Sequence, residues 1–224
     1  MSYINFNPRV GEKYATSGFL GKKILILGES HYCNKELAED GRCFPACSKE
    51  KMDKICFNQS INNLDDIVYN LDRSERYHQT FLHFENAIFG RDLFNEPEVR
   101  EDFWNSVVFY NYFQYAQPEA SRKLEQPPYS YKESELAFKE VLEDYMPDCI
   151  IVWGSRLYKA LPPLVGAESM LFIDNGDSTE IWTYEVNGKK IPAMKVWHPC
   201  RGLGASWPYW HQFHKKFLDL PENI

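Results

Sequence analysis

Four short apolar runs, each followed by polar residues, constrain the fold of this chain more than any other feature. The runs span residues 24–27, 107–110, 149–152 and 193–196. Their length and unbroken hydrophobicity predict strands that are buried on both faces, as in parallel sheets. Ligands of open α/β sheets bind outside the carboxyl ends of parallel strands. The sequence therefore predicts one polar pocket, built where these four strands end.

The residues that follow the runs have the chemistry of a binding or catalytic pocket. The polar ends are, in chain order, Glu29, Asn111, Gly154-Ser155 and His198. Glutamate and histidine are common general acids and bases, and an asparagine amide presents one donor and one acceptor edge to a ligand. Structural roles are the alternatives: Asn111 as a turn residue, His198 bonded to a carbonyl, and Glu29 accepting from backbone amides.

Length and charge limit the class of protein. The 224 residues suit one large domain or two small ones, and 44% hydrophobic residues are enough for a core. The formal charge of −7 argues against a surface that coats nucleic acid through a broad basic field. A local basic rim is still compatible with that charge. Its candidates are Arg156, Lys159, Arg201, Lys215 and Lys216.

No targeting or membrane segment is evident. No apolar stretch approaches the roughly 20 residues of a membrane helix, and residues 1–13 lack the basic-then-apolar plan of a signal peptide. We therefore expect a cytoplasmic protein, or a nuclear one if the source has a nucleus, with reduced cysteines and no membrane partner. We also expect a monomer.

Four of the six cysteines lie close together in the sequence. They are Cys33, Cys43, Cys47 and Cys56. The spacing contains no Cys-x-x-Cys pair, so it matches no common zinc pattern. We predict no cofactor and interpret these residues as ordinary thiols. A structural zinc or iron–sulfur centre held by the four thiols is the alternative.

The remaining patterns indicate a single α/β domain over residues 1–224, with an irregular lead-in over 1–20. Apolar spacing predicts helices at 58–71, 77–89, 133–145, 155–161 and 207–218. Residues 29–57 and the proline-rich stretch 117–129 are predicted to be loops. Asn187-Gly188 predicts a hairpin turn within 181–195.

The order of these motifs resembles the uracil-DNA glycosylase superfamily. The resemblance rests on Gly28-Glu29 with Tyr32, Asn111, Trp153-Gly154-Ser155 and His198-Pro199-Cys200, and it covers most of the chain. It implies a three-layer α/β/α fold around a small, mainly parallel central sheet of about four strands. It also implies cleavage of the N-glycosidic bond of uracil or another deaminated base, with DNA carrying that base as the partner.

The resemblance also implies a role for each matching residue. The catalytic positions are Glu29, Ser30 and His198. The base-binding positions are Gly28, Tyr32, Phe44 and Asn111, of which Phe44 resembles the family's base-stacking ring. The DNA-contact positions are Ser155, Arg156, Pro199, Cys200 and Arg201.

Three positions depart from the family pattern, and one of them is Cys200, which stands in place of the Ser of the family's His-Pro-Ser motif. Ser30 stands where the most active members have Asp, and His31 stands where Pro is expected. The cysteines at 33–56 do not map onto the family's iron–sulfur cysteines either. These departures leave two alternatives to a glycosylase: a catalytically weak protein that binds a nucleobase or nucleic acid, and a metal-dependent enzyme built on the cysteine-rich loop.

Overall fold

A computed structural model describes residues 2–32, 76–114, 116–117, 128–200 and 206–219. Several sequence predictions lie outside these ranges. They concern Phe44, Arg201, the helix at 58–71, and the cysteines at 33, 43, 47 and 56.

The prediction of an α/β protein is confirmed, because one seven-stranded sheet is combined with five helices in the described residues. The strands are β1 (Arg9–Val10), β2 (Ile24–Gly28), β4 (Val108–Asn111), β6 (Cys149–Trp153), β7 (Gly166–Phe172), β8 (Ser178–Val186) and β9 (Lys189–Val196). Their order across the sheet is β1-β4-β2-β6-β9-β8-β7. A separate pair of two-residue strands, β3 (His31–Tyr32) and β5 (Ala116–Gln117), runs parallel.

The prediction of a small, mainly parallel sheet of about four strands was wrong in detail. Strands β4, β2, β6 and β9 are parallel neighbours, but the other three pairings of the sheet are antiparallel. Two of the additional strands, β1 and β7, could not be predicted from an apolar pattern. Strand β1 has only two residues, and β7 is exposed along almost all of its length, so it lacks an apolar pattern.

The parallel strands are apolar on both faces because each face borders a hydrophobic cluster. Along β2, Ile24 and Ile26 join one cluster, and Leu25 and Leu27 join the other. All five residues of β2 and all five of β6 are buried. Continuous burial of this kind is what the four apolar runs predicted.

Five helices are described, and three of them were closely predicted. The helices are α1 (Arg76–Phe89), α2 (Pro97–Trp104), α3 (Pro128–Tyr145), α4 (Ser155–Ala160) and α5 (Trp207–Leu218). Helices α1, α4 and α5 match the expected ranges to within a residue. Helix α2 was missed, and α3 begins five residues earlier than expected. Proline is tolerated in the first turn of a helix, so Pro128 starts α3 instead of excluding it.

The hairpin β8–β9 turns where the sequence predicted. Asn187 and Gly188 both have positive φ, 50° and 78°, as a type I′ turn requires. Strand β9 then pairs in parallel with β6, which brings the last motif of the sequence into the sheet.

None of the helices among the described residues has the length and apolar character that crossing a membrane requires.

Candidate functional site

The carboxyl ends of the four parallel strands lie level with one another. In register, Gly28 pairs with Asn111, Leu27 with Val152, and Trp153 with Val196. The residues just beyond these pairs therefore share one edge of the sheet. This confirms that the sequence motifs meet at one edge, on adjacent strands about 4.8 Å apart.

The topology changes direction between β2 and β6. The chain leaves β2 toward β4 on one side, and it leaves β6 toward β9 on the other. Such a switch point opens a crevice between the two strand ends. Glu29 follows β2 and Gly154 to Arg156 follow β6, so these residues lie on the two sides of the switch point.

Glu29 and Arg156 form a bidentate ion pair at the switch point. Arg156 Nε donates to Glu29 Oε1 at 2.6 Å, and Arg156 Nη2 donates to Oε2 at 2.5 Å. The Glu29 side chain is 8% exposed, whereas that of Arg156 is 44% exposed. Both carboxylate oxygens are therefore committed to the guanidinium, which fixes the orientation of both groups.

Ser30 lies beside this pair and offers a buried hydroxyl. Its Oγ is shielded from solvent and makes no hydrogen bond within the part of the chain that the structure describes. A hydroxyl can both donate and accept, so it is able to hold a water molecule. A serine hydroxyl is a poor base unless a neighbouring base activates it.

Asn111 packs directly against the backbone of Gly28. A Cβ atom added to Gly28 would lie 2.2 Å from Asn111 Oδ1, so only glycine permits this approach. Gln114 links Asn111 to the N-terminal segment through hydrogen bonds. Its Nε2 donates to the Asn111 carbonyl at 3.0 Å, and its Oε1 accepts from the amides of Asn5 and Phe6. The irregular N-terminal segment thus stabilises the position of Asn111 through Gln114.

His198 has a defined tautomer. The backbone N–H of Cys200 donates to His198 Nδ1 at 3.2 Å. A nitrogen that accepts a hydrogen bond carries no proton, so the neutral imidazole carries its proton on Nε2. His198 is partly exposed at the end of β9. The geometry therefore leaves Nε2–H as the donor that His198 presents at this edge of the sheet.

Trp153 and Gly154 support the histidine ring. The Trp153 and His198 rings meet edge to face, with centroids 6.2 Å apart. Gly154 has φ of +104°, and a Cβ there would lie 3.4 Å from His198 Cβ. Because that φ strains any other residue, the Trp-Gly-Ser motif needs its glycine to turn from β6 into α4 beneath His198.

His83 of α1 is a further support that sequence reasoning missed. Its Nδ1 lies 3.1 Å from the carbonyl oxygen of Pro199, in a partly buried position. The carbonyl can only accept, so Nδ1 is the donor. This hydrogen bond ties α1 to the turn that carries His198. No local signal indicates it, because the two residues are 116 positions apart.

The remaining predicted positions are only partly placed. Ser155 begins α4, Pro199 is buried and Cys200 is exposed, all at the same edge as His198. The backbone of Tyr32 lies in β3, three residues after Glu29. Phe44 and Arg201 lie outside the described residues.

No group of three metal-ligating side chains occurs among the residues that the structure describes. That statement does not extend to Cys33, Cys43, Cys47 and Cys56, which lie outside them. Of the other two cysteines, Cys149 is buried and Cys200 is exposed. Burial raises the pKa of the Cys149 thiol to about 12, so this residue is a core side chain and not a nucleophile.

Comparison with known proteins gives no independent identification. No protein-family model matches the chain, and no curated protein matches it.

Proposed function

We propose that this chain is a DNA glycosylase-like hydrolase that cleaves the N-glycosidic bond of uracil or another deaminated base in DNA. The proposal includes the three-layer α/β/α architecture of the superfamily and action as a monomer. One observation carries it: β4, β2, β6 and β9 are adjacent parallel strands, so Asn111, Glu29 and His198 reach the same edge.

Each residue has a defined task in this reaction. The target nucleotide must first leave the base stack and enter the crevice. Asn111 then reads the edge of the base with its amide. As the bond between C1′ and the base nitrogen breaks, the electron pair leaves with the base. The Nε2–H of His198 donates to the base, where this negative charge develops.

Water completes the reaction at the sugar. Its oxygen adds to the oxocarbenium-like C1′, and the proton it loses balances the charge of the departing base. The Ser30 hydroxyl is suited to holding this water. Glu29 orients groups at the crevice through Arg156, because proton abstraction would compete with the two hydrogen bonds that it already accepts.

The first experiment is excision of the base from oligonucleotides. Single- and double-stranded substrates containing uracil, hypoxanthine or xanthine are incubated with the protein, and abasic sites are revealed by alkaline strand cleavage. We expect wild-type activity on at least one base. His198→Ala should lower it by about 100-fold or more, the usual effect of removing one transition-state donor, with DNA affinity nearly unchanged.

A second candidate function is supported by Glu29 and Ser30. Because the Glu29 carboxylate is engaged by Arg156 and Ser30 is a poor base, the pocket is also suited to binding a nucleobase without efficient cleavage. The same experiment separates the two functions. A folded wild-type protein that binds the oligonucleotides but forms no abasic sites would refute the glycosylase and support the binding protein.

A further inference from the structure

Trp197 differs from every other tryptophan of this chain in its exposure. Its side chain is 52% exposed, whereas Trp104, Trp153 and Trp210 are buried and the other two are intermediate. Single exposed hydrophobic residues are common on protein surfaces, so exposure alone indicates nothing. The position of Trp197 is what distinguishes it, because it lies between the end of β9 and His198.

The indole of Trp197 is supported from behind. Its ring contacts that of Trp210 in α5, with centroids 5.7 Å apart and an interplanar angle of 59°. Trp210 is only 3% exposed and belongs to the hydrophobic cluster on that side of the sheet. One part of the Trp197 ring therefore rests on a fixed core residue while the rest faces solvent. Binding to such a ring costs little conformational entropy.

The charge of the protein favours contacts to bases over contacts to phosphates. With a formal charge of −7, the chain has no broad positive field to hold a phosphate backbone. Aromatic rings bind single-stranded nucleic acid through the π-faces of its bases, whatever their sequence. The exposed indole of Trp197, next to His198 in the chain, has the chemistry for such contacts.

We propose that Trp197 is a stacking platform for a nucleobase flanking the nucleotide that enters the pocket, an inference that rests on the proposed action on DNA. Trp197 holds the strand next to the crevice while His198, its neighbour in the chain, acts on the extruded base. The ligand is thus a strand with at least one base beside the target.

The test measures binding of a fluorescein-labelled single-stranded oligonucleotide containing one uracil by fluorescence anisotropy. Trp197→Ala should weaken binding about tenfold, in line with the loss of one stacked base. Trp197→Phe should restore most of the affinity. Phe172→Ala is the matched control, because Phe172 is 56% exposed on β7, and it should leave binding unchanged.

A second oligonucleotide, in which the residues flanking uracil are abasic, distinguishes stacking from other contacts. The wild type should lose about tenfold in affinity for it, and Trp197→Ala should lose nothing further. The dependence of affinity on salt should be the same in both proteins, since no phosphate contact is removed. Equal binding by Trp197→Ala and the wild type, or no binding by the wild type, would overturn the inference.

Excision measured on the same oligonucleotide separates this inference from the proposed function. If the wild type excises uracil while Trp197→Ala binds normally, the stacking platform is wrong and the glycosylase stands. If excision is absent while binding depends on Trp197 and on the flanking bases, the platform stands and the glycosylase is wrong.

Discussion

The pairing of Glu29 with Arg156 changes the interpretation of both residues. The sequence placed Glu29 among the catalytic residues and Arg156 among the DNA contacts, and each assignment remains a prediction. The structure shows that the two side chains bind each other through two short hydrogen bonds. Glu29 is buried, so an unpaired carboxylate there would be costly. Arg156 therefore compensates the negative charge of the buried Glu29 carboxylate.

We predict that Glu29 and Arg156 stabilise the protein through their interaction with each other, so that the costs of removing them are not additive. Arg156→Met should lower the free energy of unfolding by about 1–3 kcal/mol, less than for a fully buried pair because Arg156 is partly exposed. Glu29→Gln should cost about 1 kcal/mol. The double variant should lose clearly less unfolding free energy than the two single variants together, because it leaves neither charge without its partner. Urea unfolding followed by tryptophan fluorescence measures all three variants.

An exposed ion pair provides the control for this cycle. Lys139 and Glu143 are one turn apart on α3, with 3.7 Å between Nζ and Oε1. The corresponding substitutions, Lys139→Met and Glu143→Gln, should show a coupling energy below about 0.5 kcal/mol. Additive costs at Glu29 and Arg156, matching this control, would show that the buried pair contributes no net coupling.

At the level of residues, the sequence predicted the positions that follow directly from strand ends. The shared edge of Glu29, Asn111 and His198 was predicted because each follows an apolar run, and the structure places them at that edge. Their functional roles remain predictions. The partners of these residues could not be found in the same way. Arg156, Gln114 and His83 act on residues between 3 and 127 positions away in the chain, and most of these contacts depend on strand order.

At the scale of elements, predictability followed burial. Strands β2, β4 and β6 were predicted because both of their faces are apolar. Strand β7 is exposed and α2 has few apolar residues, so neither leaves a clear pattern. The contact between α1 and the turn after β9 also had no sequence signal. Its consequence for His198 can nevertheless be tested.

We predict that His83 is a positioning residue for His198. His83→Phe removes the hydrogen bond to the Pro199 carbonyl and should lower the excision rate about fivefold, the usual worth of one such bond, with KM unchanged. His83→Asn should restore the rate, because its amide can donate in place of Nδ1–H. In a His198→Ala background, His83→Phe should have no further effect.

A measurement that does not depend on activity completes this test. The ¹⁵N chemical shifts of the His198 ring report which nitrogen carries the proton. In the wild type they should show protonation at Nε2, and His83→Phe should give a mixture of tautomers. Unchanged His198 shifts in His83→Phe would contradict the positioning role, whatever the effect on excision.

At the scale of the whole molecule, the sequence predicted the α/β class of the fold and the edge of the sheet at which the candidate residues lie. The number of strands was underestimated because the antiparallel strands beyond β9 add to the sheet without adding a motif. The candidate site therefore depends on four parallel strands, and the remaining strands extend the sheet away from it. The stability of the whole molecule depends on how the helices pack against one another. One of these helix contacts, between α5 and α1, contains a titratable side chain.

His214 couples the stability of the whole molecule to pH. It lies at the contact between α5 and α1, with its ring edge to face against Phe84 at 5.6 Å. Burial, together with the nearby His211, lowers the pKa of His214 to about 3, below its ordinary value of 6.5. The folded protein therefore keeps this ring neutral at a pH where the unfolded chain protonates it.

The sign of the pH effect follows from that difference. Above pH 6.5 His214 is neutral in both states and contributes no pH dependence. Below pH 6.5 only the unfolded state takes up the proton, so stability should fall by about 1.4 kcal/mol per pH unit until the folded pKa is reached. His214→Leu should remove this contribution, and the exposed control Gln212→Leu should retain it. Urea unfolding at pH 7, 6 and 5 measures the difference between wild type and variant. A difference that stays constant over this range would show that His214 is not held neutral by the fold, and that α5 and α1 are not packed around it in solution as the structure describes.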